Sequence, residues 1–532
     1  MKIKFTIIGI FLLLLLSACS NAKSSNSMGN MDMGSTQKAA TTDSSSIQAT
    51  QTKTLTGNEF TLVAKEASLS ITDKLKVDAW TFNGSVPGSE IRVKQGTPIK
   101  ITLKNELPEP TSIHWHGITV PNPMDGIPGV TQDAVQPGKS FTYEFTPTVP
   151  GTYMYHSHQD SLKQVDKGLY GAFIVEPAKK TYDKDYTLML DEWISNPNAS
   201  MEGMNTGSNS NSMNGMTGMD NNSNSSKNNS SQNTANASNM VDDMSMYDVY
   251  TINGKSGKDI KPIQVKKGEK VRLRLVNTGI LPHNIHLHGQ SFKVVATDGI
   301  DINQPKEIKD QLITIAPGER YDIEFTADNP GKWYLESHDP DQKAAKGMTA
   351  FIQYDGANKT TDSSNLNQKL PFFDFVNYGA KANGSFTLDQ TYDVEYTMNL
   401  NTAMINNQMA YTINDKTFPN TDSIQVKTGD TVKVKLVNKS GAANHPMHLH
   451  GHSFQVLSKN GKPVEGSPII KDTINLTPGD EYVVAFKADN PGNWLFHCHD
   501  LQHASTGMVT LVKYQDYQSN YQPDPNAKNI PE

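Results

Sequence analysis

From Phe60 onward the chain alternates apolar and polar residues over short runs broken by Gly, Pro and Asn, as in Ile99-Lys100-Ile101-Thr102-Leu103 and Phe141-Thr142-Tyr143-Glu144-Phe145. A period of two puts the apolar set on one face of an extended strand. A long succession of such half-buried strands predicts an all-β protein built of sandwiches or barrels. Three stretches fall outside the pattern. Residues 20–54 are Ser, Asn, Thr and Lys with few aliphatics and read as a flexible tether. Residues 196–246 are Asn, Ser, Gly and Met and read as a disordered insertion. The tail, 517–532, is rich in Pro and Asn and is expected to be disordered as well.

The strand pattern occurs three times. Thr81-Phe82-Asn83-Gly84, Thr251-Ile252-Asn253-Gly254 and Thr412-Ile413-Asn414-Asp415 each precede an Ile-X-Val-Lys strand start at Ile91, Ile263 and Ile424. Each repeat then reaches a histidine cluster: His114-Trp115-His116-Gly117, His286-Leu287-His288-Gly289, His448-Leu449-His450-Gly451. Each closes on a Pro-Gly turn before an aromatic strand, at Pro150, Pro330 and Pro491. A unit this long is a copied domain, not a solenoid repeat, and 532 residues at roughly 150 per domain give about three. The expected domains are 55–178, 179–357 and 390–516, with 358–389 as a connector.

Lys2 and Lys4 precede an apolar run from Phe5 to Leu16 that is too short to span a bilayer comfortably, so residues 1–19 read as an export signal. Leu16-Ser17-Ala18-Cys19 resembles a bacterial lipobox, which implies lipidation of Cys19 and anchoring to the outer face of a bacterial cell membrane. Cys498 is then the one remaining cysteine, and a metal is a good reason to keep a lone thiol in an exported chain. The net charge of -7 makes no electrostatic case for nucleic acid. A monomer is expected.

The candidate chemistry centres on Phe496-His497-Cys498-His499-Asp500-Leu501-Gln502-His503, with Met508 five residues later. Thiolate, imidazole and a weak thioether are the ligands of a blue-copper site. In an extended segment Cys498 faces one way, and His497 and His499 the other, so one strand can serve two metal sites on the order of 10 Å apart. Four His-X-His pairs exist: His114/His116, His156/His158, His448/His450 and His497/His499. Two lie in the first repeat and two in the third, among only 15 histidines. Facing each other, eight imidazoles could hold three coppers.

On these motifs the sequence resembles the three-domain multicopper oxidases, the laccase and bacterial copper-tolerance group, over about 55–516. The resemblance implies three cupredoxin-like Greek-key β-sandwiches and four coppers per chain. It implies a mononuclear (type 1) site of His445, Cys498, His503 and axial Met508. It implies a type 2 copper on His114 and His448, and paired type 3 coppers on His116, His156, His158, His450, His497 and His499. Cys498, His497 and His499 then carry electrons between the sites, and Asp125 matches the family's carboxylate near the trinuclear cluster; its alternative is a turn residue before Gly126. Gln502 departs from the glutamate that related bacterial enzymes often place before the second blue-site histidine, which leaves Asp500 or water to move protons. In the second repeat Glu336-Ser337-His338 stands where the third has His497-Cys498-His499, so His283, His286, His288 and His338 read as vestiges of duplication, with an accessory metal site as the minority reading. His452 is expected to sit behind a ligand or be exposed.

The reaction implied is one-electron oxidation of substrate coupled to four-electron reduction of O2 to water. Met201, Met204, Met213, Met216, Met219, Met240, Met244 and Met246 fall in the insertion, and Met28, Met31 and Met33 in the tether. Thioethers suit Cu(I), which makes cuprous ion the expected reductant in a copper-tolerance role, with phenols and Fe(II) also candidates. The alternatives are a laccase with an organic substrate, a linker whose methionines bind nothing, and a non-catalytic copper-buffering lipoprotein. A copper nitrite reductase is set aside for want of four His-X-His pairs in that class.

Overall fold

A computed structural model describes residues 48–196, 246–338, 346–361, 369–405 and 407–532. The expected signal, the Cys19 lipobox, most of the tether and all but the ends of the Met-rich insertion lie outside them. No helix among the described residues is long and apolar enough to cross a membrane.

The described chain folds into three two-sheet β-sandwiches, as the alternation predicts. The sheets have four and five strands in the first sandwich and seven and five in each of the others. The five-stranded sheets share one plan. A short strand pairs in parallel with a late one: Glu90–Lys94 with Tyr170–Glu176, Ile263–Val265 with Thr349–Tyr354, and Ile424–Val426 with Val509–Tyr514. The late strand is antiparallel to the aromatic strand, at Gly151–His156, Lys332–Ser337 and Asn493–Cys498. That strand in turn pairs with the His-X-His strand, at His114–His116, His283–Leu287 and His445–Leu449. The repeat extends to side chains. Tyr153 Oη, Trp333 Nε1 and Trp494 Nε1 each donate to the carbonyl four residues earlier, which clasps each Pro-Gly turn.

Alternation buries one face of each strand. Ile99, Ile101 and Leu103 are inside, and Lys100 is outside. Burying side chains of this size stabilises each sandwich by roughly 1.5–3 kcal/mol per residue. Two expectations fail at the edges of the first repeat. Residues 48–54 are not free tether: Ala49 N–H donates to Ser68 O at 2.8 Å, Thr50 N–H to Gly84 O at 2.7 Å, and Thr54–Thr56 pairs with Glu90–Lys94. The tail is not disordered either. Asn529 Oδ1 accepts from Ala134 N–H, Gln136 Nε2 donates to Ala527 O, and Asp160 N–H donates to Ile530 O. Polar composition misled in both places, because these segments are held mainly by backbone and amide hydrogen bonds, which composition does not show.

One half-buried acid of the first repeat should make stability depend on pH. Burial holds the Asp166 carboxyl up at about 6, although Tyr247 Oη donates to it at 2.6 Å. Between pH 4 and 6 the folded state therefore binds more protons than the unfolded chain, and stability falls as pH rises through that window. Asp166→Asn keeps an acceptor for Tyr247 and should flatten the slope. Urea unfolding of the holoenzyme at pH 4.5 and 7 checks it, with a gain for the variant only at pH 7, on the order of 1–3 kcal/mol.

Candidate metal centre

The eight paired histidines converge. All are buried to 2% exposure or less. His116 stacks on His448 with ring centroids 3.6 Å apart, and His114 on His450 at 3.8 Å. His158 meets His497 at 5.4 Å, and His156 meets His499 at 5.2 Å. Every ring of the first repeat thus faces one of the third. The strands set this up only in part. His114 and His116 share a strand, with His114 opposite His156, and His448 lies opposite His497. His158, His450 and His499 lie just beyond their strand ends, so the simple picture of both rings on one strand face holds for one pair of the four.

Carboxylates aim the rings. Asp125, capping the short Asn122–Met124 turn, lies 3.2 Å from His114 Nδ1 and 3.0 Å from His450 Nδ1. Asp472 lies 3.1 Å from His116 Nε2 and 3.4 Å from His448 Nδ1, and the Asp472 carbonyl is 3.0 Å from the same His448 nitrogen. Arg320, from the second sandwich, grips Asp472 with two bonds of 2.6 Å and donates to Thr152 O of the first. Burial alone would raise the Asp472 carboxyl, yet Arg320 holds it well below the usual range. Gly117 of the His-Trp-His-Gly run is explained here. A Cβ there would sit 2.4 Å from Arg320 Nη2 and 2.5 Å from Asp472 Oδ2.

A second cluster lies on the other side of the Asn493–Cys498 strand's last residue. Cys498 Sγ is 3.5 Å from His503 Nδ1 and 3.8 Å from His445 Nδ1, and those two nitrogens are 3.2 Å apart. Asp500 caps the Leu501–Ser505 helix through Gln502 N–H and His503 N–H, which fixes His503. Burial holds the Asp500 carboxyl up at about 7. Ser440 Oγ, 2.6 Å from His445 Nε2, fixes the other ring. Met508 is fully buried, and its carbonyl accepts from Cys498 N–H. Tyr411 lies over His503 at 3.7 Å. Gln502 is only half-buried and faces none of these groups by a side-chain hydrogen bond.

The donor set fits copper. His114 Nε2, His116 Nδ1, His156 Nε2, His448 Nε2 and both nitrogens of His499 are buried without a hydrogen-bond partner. Leaving so many polar atoms unpaired is costly unless a metal takes them. Burial, and then neighbouring His114, holds His156 down at about 3; burial also lowers His503 to about 3 and His445 to about 2. These rings are neutral at physiological pH, the form that ligates. Burial pushes the Cys498 thiol up, so the thiolate needs a cation beside it.

Sequence reasoning missed four residues. Asp472 and Lys471 were legible as charges inside the apolar run Ile469-Ile470-Lys471-Asp472-Thr473-Ile474. Arg320 likewise opens an otherwise ordinary strand. Glu532 carried no signal, being part of a polar tail. Its side chain lies 3.1 Å from His497 Nδ1 and 3.3 Å from His158 Nε2, while Pro531 O accepts from His158 Nδ1. Elsewhere, His452 is buried, not exposed, and bridges the His450 carbonyl and Tyr514 Oη. His283 Nε2 sits 3.0 Å from Glu192 Oε2, where the same nitrogen of His445 meets Ser440 Oγ, and Ser337 holds the register position of Cys498.

Comparison with known proteins agrees with this geometry. Family profiles described as multicopper oxidase match residues 63–180, and residues 220–356 and 389–518. The multicopper oxidase MmcO of Mycobacterium tuberculosis is 29% identical over 82% of this chain and 83% of its own length. A copper resistance protein A homolog of Pseudomonas syringae is 25% identical over 87% of this chain and 93% of its own. In fold, the chain superposes on the crystal structure of a multicopper oxidase from Pseudomonas thermotolerans with a TM-score of 0.62 at 24% identity, over 87% of this chain and all of that one.

Proposed function

Starting from the premise that the chain belongs to the multicopper oxidases, we propose that its physiological reductant is the cuprous ion and its role copper tolerance at the cell surface. Enzymes of this family bind four coppers and use O2 as acceptor. Bound copper supplies one-electron oxidation at one site and four-electron reduction of dioxygen at the other. We assign the mononuclear site to His445, Cys498, His503 and Met508. The type 2 copper is assigned to His114 and His448, and the type 3 pair to His116, His156, His158, His450, His497 and His499. Asp125 and Asp472 orient these imidazoles, as carboxylates behind metal-bound histidines do. The short covalent path from Cys498 to its two neighbouring histidines links the sites.

One observation carries the cuprous reading. The Val394–Ile405 and Gln408–Ile413 strands form a hairpin in which Met404 and Met409 are direct partners. Met404 is 66% exposed. Met409 is two residues before Tyr411, so both point to one face, about 7 Å apart along the strand. Tyr411 is the ring that covers His503. Two soft thioethers therefore flank the approach to the imidazole through which electrons enter, and thioethers select Cu(I). The Met-rich insertion, outside the described residues except for Met246, would extend the same chemistry. The lipobox at Cys19 would tether the enzyme where incoming copper meets the cell.

Steady-state oxygen uptake with Cu(I), Fe(II) and a phenol tests the proposal. Met404→Leu/Met409→Leu should raise KM for Cu(I) about tenfold, roughly 1.4 kcal/mol of binding, and leave phenol turnover unchanged. Deletion of residues 197–245 should act in the same direction. Equal losses for all three reductants, or none, would overturn it.

A further inference from the structure

The second sandwich keeps a cluster that the four-copper chemistry does not use. We propose that His286, His288, His338 and Glu336 form a fifth metal site that takes a borderline divalent ion, Cu(II) or Zn(II). This rests on the chain's own repeat geometry.

The backbone frame of the copper half-site is reproduced. His286 lies opposite Glu336 in the same register in which His448 lies opposite His497. His288 N–H donates to Tyr334 O at 3.0 Å, as His450 N–H does to Leu495 O at 2.9 Å. His338 N–H donates to Asn284 O at 2.8 Å, as His499 N–H does to Pro446 O at 2.6 Å. Duplication has thus kept the scaffold and three of its four imidazoles, with a carboxylate in place of the fourth.

The four side chains converge. His286 Nδ1 is 3.1 Å from His338 Nε2, and His288 Nε2 is 3.3 Å from the same atom. Glu336 Oε1 is 3.2 Å from His288 Nε2 and 3.7 Å from His338 Nε2. Bonds of about 2.1 Å from a central ion make a tetrahedron with edges of about 3.4 Å. Four of its six edges are seen here, at 3.1, 3.3, 3.2 and 3.7 Å, and they bracket that length. Glu336 is 5% exposed, and its Oε1 has no hydrogen-bond partner, while Thr349 Oγ1 donates to the other oxygen at 3.4 Å. A buried carboxylate oxygen held toward two of three clustered ring nitrogens is a poor arrangement for a core and a good one for a cation. Three nitrogens and one oxygen are a borderline donor set, which suits Cu(II) and Zn(II) more than the softer Cu(I). Among the described residues the cluster's rim is slightly exposed, with His286, His288 and His338 at 6–9%. Asp310, half-exposed, reaches to 3.7 Å from His286 Nε2. This distinguishes the cluster from the closed eight-histidine centre.

The test is metal counting on the copper-loaded enzyme. Holoenzyme is incubated with Zn(II), passed through gel filtration and assayed by elemental analysis. One zinc per chain is expected over unchanged copper and unchanged blue colour. In a parallel arm with Cu(II), copper rises by one per chain. His286→Gln/His338→Gln should lose the added ion while keeping blue colour and oxidase rate. Glu336→Gln, which preserves size and the Thr349 contact, should weaken zinc binding at least about tenfold, and it decides the matter if the double variant misfolds. No added zinc in the wild type, or equal zinc in wild type and Glu336→Gln, overturns the site. Because blue colour and native copper are read separately, a failure here is distinct from a failure of the oxidase assignment.

Discussion

Cys498→Ser is expected to be colourless and to consume oxygen at least about a thousandfold more slowly with any reductant, a loss of about 4 kcal/mol or more in barrier. The copper count should fall by about one, not to zero. Cys498 Sγ closes a triangle with His445 Nδ1 and His503 Nδ1, and no other described cysteine exists to replace it. Serine offers a harder, far less acidic oxygen that does not give the thiolate bond of a blue site. His497 and His499, pointing away from that triangle, still face His450 and His156. Oxygen-electrode rates, the visible spectrum and elemental analysis on one preparation check all three parts. A variant that stays blue, or keeps a tenth of the rate, contradicts the assignment.

The second large effect is expected at a residue that belongs to neither outer sandwich. Arg320→Leu leaves Asp472 buried without its guanidinium partner, a change that costs about 3–5 kcal/mol. Asp472 also accepts from Thr473 Oγ1 and touches His116 and His448, so a displaced carboxylate misaims two rings at once. The loss should be of stability and of copper retention together. Replacing Asp472 by Asn in the same chain removes the stranded charge, so the double variant should recover at least about half of the lost stability. Thermal unfolding and copper content of wild type, both single variants and the double variant provide the cycle. A purely additive cycle would show that the pair is incidental.

The sandwiches were legible because alternation with period two is a strong signal, and its triple occurrence fixed how many there are. The histidines were legible because four pairs at equivalent repeat positions leave little room for coincidence. What aims them was harder to read. Asp125 could be named only through family resemblance, since a residue before glycine in a turn is usually just that. Asp472 and Lys471 interrupt an apolar run, and their partners Arg320, Glu319 and Asp298 come from about 150 to 175 residues earlier. No local pattern pairs charges across that separation. The tail was misread because it docks by backbone, amide, hydroxyl and carboxylate contacts, which composition does not encode. Met404 and Met409 passed unremarked because only strand register makes them neighbours.

The wide spacing of the centre's parts has a consequence for biosynthesis. His116 and Asp472, which touch in the folded protein, are 356 residues apart. At ordinary rates of translation the ribosome needs roughly 20–70 s to make the intervening chain. Through that interval the first repeat exposes four imidazoles with no counterpart, open to whatever divalent ion the compartment offers. Copper loading is therefore a late event, after synthesis of the third repeat, and pulse-labelled nascent chains stalled before residue 445 should bind copper no more tightly than a histidine-rich peptide.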